Sequence, residues 1–173
     1  YQSARPVFVY PAEPLPEKSY VLSLRINQET LGVYTGALTL DAVLESFKEL
    51  PNNSFVILDS LDALELRPGV PVTAGPQGLY DAYNKIIATL PDLAKRGIFL
   101  LIVSQLRYNP KAHRVGSSSA ALLPHLHYQV QLRVLESKTE YGEQTWKRIE
   151  VEGVYSSYKA KSKACIYWHP GLG

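Results

Sequence analysis

The sequence predicts an α/β fold, a mostly parallel central sheet flanked by helices with antiparallel strands toward the C-terminus. Three observations predict it. Phe55-Val56-Ile57-Leu58 and Ile98-Phe99-Leu100-Leu101-Ile102-Val103 are short unbroken apolar runs, the pattern of strands buried on both faces. A helical pattern precedes each run, as in chains whose helices cross between parallel strands. From Leu126 onward the chain alternates apolar and polar residues, the pattern of antiparallel strands with one wet face.

The elements follow in order. Pro6 to Tyr10, centred on Val7-Phe8-Val9, reads as a short buried strand. Pro11-Ala12-Glu13-Pro14-Leu15-Pro16 ends it, because proline fixes φ and has no N–H to donate. Asp41 to Leu50 reads as a helix, with Thr39 as N-cap and Ala42, Val43, Leu44 and Phe47 as its apolar face. Pro51-Asn52-Asn53 stops it before the strand 55–58. Leu66 to Gly78 holds three prolines and three glycines and reads as a loop. Leu79 to Leu93 reads as a helix, with Leu79, Ala82, Tyr83, Ile86, Ile87 and Leu90 inward and Pro91 expected to end or kink it. Lys95-Arg96-Gly97 supplies positive charge and a C-terminal glycine. After the strand 98–103, Tyr108 to Ser119 reads as a polar, basic loop. Leu126 to Leu135, Trp146 to Tyr155 and Ala164 to Trp168 read as strands, the first two joined at Glu140-Tyr141-Gly142-Glu143.

With 173 residues, 46% hydrophobic and 20% charged, the chain is long enough for a single domain spanning 1–173 with a real core. The net charge of +2 leaves no global electrostatic case for nucleic acid, so any such contact must rest on a local patch. Cys165 is the single cysteine, which excludes an internal disulfide framework and suits a reducing, cytoplasmic setting. No apolar run approaches the ~18 residues of a membrane span, so no membrane role is expected. The chain begins at Tyr1 and contains no methionine, the expected mark of a fragment or a processed product.

Asp59 stands at the C-terminal tip of the run 55–58. Open α/β sheets bind ligands outside the carboxyl ends of their strands. An acid there, with the neighbouring Ser60, suits a magnesium ion held directly or through water against a nucleotide. The plainer role is to cap the following turn. Gln105 sits at the tip of the second run, either as a nucleotide-sensing amide or as a polar strand cap. From Arg107 to Ser119 the chain carries Arg107, Lys111, His113 and Arg114 with no acid among them. Those cations, beside Gly116 and Ser117, suit a DNA backbone, and Tyr108 suits base stacking; the plainer reading is a solvated loop. Lys159, Lys161 and Lys163 alternate onto one strand face, as a solvated face or a phosphate-binding ridge. His125 and His127 have no ligand spacing that indicates zinc.

Taken in order, these pieces resemble the core of the bacterial RecA recombinases. Val7-Phe8-Val9-Tyr10-Pro11-Ala12-Glu13 resembles the strand that ends in that family's catalytic glutamate. Phe55 to Ser60 resembles its magnesium-binding strand. Gly78-Leu79 and the helix after it resemble the segment following the first DNA loop. Leu101 to Arg107 resembles the strand whose terminal glutamine senses the nucleotide and leads into the second DNA loop. Gly116-Ser117-Ser118-Ser119-Ala120-Ala121-Leu122 stands where the family has a threonine- and glycine-rich stretch. Ile166-Tyr167-Trp168-His169-Pro170-Gly171 is similar to the strand and turn near the core's end.

The resemblance implies a RecA-like DNA repair or recombination protein. It would bind single-stranded DNA through the 107–119 segment, self-associate or join another repair protein, and use ATP and magnesium. In that reading Asp59 and Ser60 hold the magnesium, Glu13 orients the attacking water and Gln105 senses the terminal phosphate. Three departures point to an alternative, a non-hydrolysing paralogue that regulates or scaffolds a repair complex. The family's glycine-rich phosphate loop would lie before Tyr1, and without it the polypeptide is expected to bind ATP poorly. The family's lysine pair that reaches a neighbouring subunit's nucleotide falls on Glu152 and Val154, unless a remodelled loop lets Lys159 and Lys161 replace it. Pro11 replaces an acid beside the catalytic glutamate. The segment from Pro68 to Gln77 offers no cation for a first DNA loop.

Overall fold

The computed structural model describes residues 5–12, 31–104, 106–109, 114–117, 125, 128–140, 143–156 and 163–168. These form two compact units, one up to Ser117 and one from His125 onward. In the first, strands β1 (Val7–Pro11), β2 (Leu31–Val33), β3 (Phe55–Asp59) and β6 (Phe99–Ile102) make a four-stranded sheet in the order β2-β1-β3-β6. Every pairing in it is parallel. Helix α1 (Leu40–Ser46), extended by a 3-10 turn over Phe47–Glu49, lies between β2 and β3 in sequence, and helix α2 (Pro76–Lys95) lies between β3 and β6. The expected mostly parallel sheet with helical crossovers is therefore present.

Register decides which residues make the core. Phe8, Val56 and Leu100 stand opposite one another, as do Tyr10, Leu58 and Ile102. Val56 and Leu58 are fully buried, together with Leu40 and Val43 of α1 and Ala82, Tyr83 and Ile86 of α2. The other face of the sheet carries Val7, Val9, Phe55, Ile57, Phe99 and Leu101. Toward β6 it is open: Phe99 and Leu101 are about half exposed, and the Arg5 guanidinium lies 4.8 Å over the Phe99 ring.

Several boundaries differ from the sequence reading. Thr39 occupies the N-cap position of α1 and its carbonyl accepts from Val43 N–H at 3.0 Å, but its side chain forms no cap bond. Helix α2 starts at Pro76, three residues early, because proline is preorganised for the first turn. Pro91 does not end it. Leu93 is buried beyond the proline, and the end is locked by Gly97 at φ +68° and by Arg96. Arg96 donates to Phe47 O at 3.0 Å and to Leu50 O, and its own carbonyl accepts from Asn53 N–H at 2.9 Å. Within the expected 66–78 loop, β4 (Glu65–Arg67) and β5 (Val70–Pro71) pair as a tight hairpin, turned at Gly69 with φ +77°. The edge strand β2 was not anticipated; Leu31-Gly32-Val33 is too short to show a period.

The second unit is an antiparallel sheet of β9 (Tyr128–Glu140), β10 (Glu143–Ser156) and β11 (Lys163–Trp168), in the order β11-β10-β9. This agrees with the expected C-terminal strands, which run longer than the alternation alone suggests. One face aligns Leu132 with Val151 and Ala164, and Val134 with Ile149 and Ile166. Its outer members are exposed, Leu132 at 60% and Val134 at 54%, so the apolar face is wet as well as the polar one. The polar face aligns Arg133, Glu150 and Cys165.

The core assignment is tested by two truncations compared in urea melts. Leu58→Ala removes a fully buried side chain and is expected to cost about 2–5 kcal/mol. Leu101→Ala, on the half-open face, is expected to cost under about 1 kcal/mol. Equal losses would place the core on the wrong face.

Candidate functional site

Parallel pairing delivers the carboxyl ends of three strands to one rim. Pro11 of β1 stands opposite Asp59 of β3, and Ala12 N–H donates to Asp59 O at 2.7 Å. On the other flank Val103 N–H donates to Leu58 O at 2.9 Å, and Leu61 N–H donates to Val103 O at 3.0 Å. These bonds hold residues 11–12, 59–61 and 103 level with one another. Beyond them β1 leads toward Glu13, and β6 leads toward Gln105. Glu13 and Gln105 themselves lie outside the described residues, as does Lys111.

Asp59 is half-buried at the end of the row Phe55, Ile57, Asp59, the face opposite Val56 and Leu58. Its carboxylate forms no hydrogen bond or ion pair with a described residue. The 3-10 turn Leu61–Ala63 that follows has Ser60, not Asp59, at its N-cap position and no side-chain cap bond. The turn-capping role is thus not the one this aspartate plays. Ser60 is buried, and the Asp59–Ser60 peptide is cis. Asp59, half-buried at a strand tip and paired with no described residue, is chemically suited to a hydrated divalent cation, whereas Ser60 is buried beside it. Among the described residues no three His, Cys, Asp or Glu side chains gather as a metal cluster, so such an ion would need ligands from elsewhere.

The basic segment after Gln105 contains two strands where a loop was expected. β7 (Leu106–Asn109) and β8 (Arg114–Ser117) pair antiparallel, with Arg107 opposite Gly116, Tyr108 opposite Val115 and Asn109 opposite Arg114. Pro110, which has no N–H for a ladder, falls between them. The pairing brings the candidate DNA-contact positions Arg107, Tyr108, Arg114, Gly116 and Ser117 onto one hairpin. Of the second basic stretch, Lys159 and Lys161 lie outside the described residues. Lys163 is drawn to acids across the sheet, at 3.1 Å from Glu152 and 3.7 Å from Glu150. At this one described position of the stretch, the lysine's charge faces two acids. None of the described helices is long and apolar enough to cross a membrane.

Next to the rim, Tyr10 is buried under Tyr34 and Phe47, with ring centroids 4.8 and 5.0 Å away. Its hydroxyl is hydrogen-bonded with Ser46 Oγ at 3.0 Å. Burial pushes its acidity constant above the ordinary value; the Ser46 bond opposes that shift, and Tyr34 adds to it. A scan against protein-family models finds no match for this chain, and a comparison with curated protein sequences finds none either. The sheet and its rim therefore carry the functional argument.

Tyr10 gives this region a pH signature. A raised constant means the folded state resists ionisation, so its contribution to stability is complete below about pH 10 and is lost as pH rises through the folded value. In denaturant melts between about pH 9 and 11, the parent chain is expected to lose stability more steeply than Tyr10→Phe. Parallel slopes would contradict the burial.

Proposed function

We propose that the chain is the core of a RecA-like DNA repair or recombination protein that binds single-stranded DNA and, where the intact protein supplies a phosphate loop, ATP. The observation that carries this reading is the Asp59 carboxylate on β3, paired with no described residue and set between the strand leading to Glu13 and the strand leading to Gln105. A phosphoryl-transfer site needs those three groups at one rim, since it works by positioning and charge. Asp59 and Ser60 would hold magnesium, chiefly through water. The ion would neutralise phosphate charge when bound. Glu13 would orient the attacking water, and Gln105 would sense the terminal phosphate and pass its state to the β7–β8 hairpin. The backbone cradle for the phosphates is not among residues 1–173, so nucleotide affinity in this polypeptide alone should be poor.

The alternative, a non-hydrolysing paralogue that regulates or scaffolds a repair complex, is favoured by one contact. In the family, a lysine that reaches a neighbour's nucleotide occupies the position of Glu152. Here Glu152 is an acid held by Lys163 at 3.1 Å. Self-association or attachment to another repair protein accompanies either reading, and a cytoplasmic setting suits both.

Single-stranded DNA binding by the protein carrying this chain, titrated with salt, tests the hairpin. Changing Arg107→Ala and Arg114→Ala together is expected to reduce the magnitude of the log–log salt slope by about 1.4, the loss of two phosphate contacts. An unchanged slope and affinity would remove the hairpin as a DNA contact. On the same protein, Asp59→Asn is expected to abolish magnesium-dependent ATP binding. DNA-stimulated ATP hydrolysis separates the two readings: turnover supports the enzyme, and a flat response supports the scaffold.

A further inference from the structure

A groove of about 280 Å3 opens between β1, β2 and the end of α1, and neither DNA nor nucleotide accounts for it. It is lined by three aromatic residues, Phe8, Tyr10 and Tyr34, and by Glu49. The rings are set in place by the fold. Phe8 lies opposite Gly32 in the strand register, and a Cβ at Gly32 would run into the Phe8 ring, so glycine lets that ring lie against the edge strand. Tyr34 stacks on Tyr10 at 4.8 Å and 27°, and its hydroxyl donates to Ala37 O at 3.2 Å. Phe8 and Tyr34 are only half-buried, so part of each ring remains accessible.

The charge pattern is one-sided. Among the described residues no cation lines the groove. The neighbouring acids are already engaged, Glu45 by Lys48 at 2.7 Å and Asp41 by Lys85 at 2.6 Å. Glu49 is exposed and forms no ion pair with a described residue. Aromatic faces carry negative quadrupole charge and attract cations, and a carboxylate beside them adds to that field. The volume lies just under the usual range for drug-sized ligands, which suits one head group better than a nucleotide. We infer that this groove binds an organic cation, the guanidinium or alkylammonium head of a free amine or of a basic peptide side chain, against Phe8, Tyr34 and Glu49.

The test is an NMR titration of the whole chain, following the aromatic resonances of Phe8 and Tyr34. The probes are N-acetylarginine amide, a glycine–serine peptide carrying one arginine, and the neutral isostere N-acetylcitrulline amide. The arginine probes are expected to shift both rings, with the citrulline probe weaker by about tenfold or more. Tighter binding by the peptide than by the amide identifies a side chain as the source; equal binding identifies a free cation. Glu49→Gln changes an exposed position, so the fold should survive, and it is expected to weaken the arginine probes about fivefold while leaving citrulline unaffected. Gly32→Ala, by displacing Phe8, is expected to weaken them further. Equal affinity for arginine and citrulline, insensitivity to Glu49→Gln, or silence at both rings would each overturn the assignment.

Discussion

The parallel pairing of β3 on both of its edges is the constraint on which the first unit depends. A strand flanked in this way has no free backbone edge and must bury its side chains against whatever covers the sheet. Val56 and Leu58 do so completely, and the inward residues of α1 and α2 converge on them. Because both neighbours run in the same direction, all three carboxyl ends arrive at one rim. The same pairing that builds the core therefore places Asp59 between two strand exits.

The turn joining α1 to β3 makes that pairing reproducible. Parallel strands need a helix-bearing crossover, whose length and end must be fixed for the next strand to enter in register. Arg96 ties the last residue positions of α2 to the Phe47 and Leu50 carbonyls, and Asn53 returns a bond to the Arg96 carbonyl. Gly97 permits the left-handed turn, and Phe99 N–H then meets Ser54 O at 3.0 Å. The start of β3 and the start of β6 are thus set by one cluster of contacts, at the end of the sheet opposite Asp59.

Most of the first unit was legible in the residues. The apolar runs 55–58 and 98–103 mark two strands of the sheet, although in the second one face stays open at Phe99 and Leu101, and Lys95-Arg96-Gly97 marks a helix end by mechanism. Less was legible where tertiary pairing supplies the signal. Leu31-Gly32-Val33 is a strand because β1 offers it an edge, and Gly32 is there because Phe8 needs the space. Residues 106–109 and 114–117 look like polar loop in isolation and become strands by pairing with each other. The helix passes Pro91 because Leu93 is buried and Arg96 is anchored, gains that local propensity does not contain. Of the site, the tip position of Asp59 was readable, whereas the aromatic groove was not, since Phe8, Tyr34 and Glu49 are scattered along the chain.

By itself, then, the sequence determined the class of fold, the strands that form its centre and the acid at the tip of one of them, because hydrophobic period and proline and glycine chemistry are local properties. The tertiary structure decided which strands are neighbours, that Asp59 reaches a shared rim with no ion pair to a described residue, and that Glu49 lines one groove with three aromatic residues. Those outcomes depend on register between segments distant in the chain, and register is fixed only when side chains from all of them compete for the same buried space.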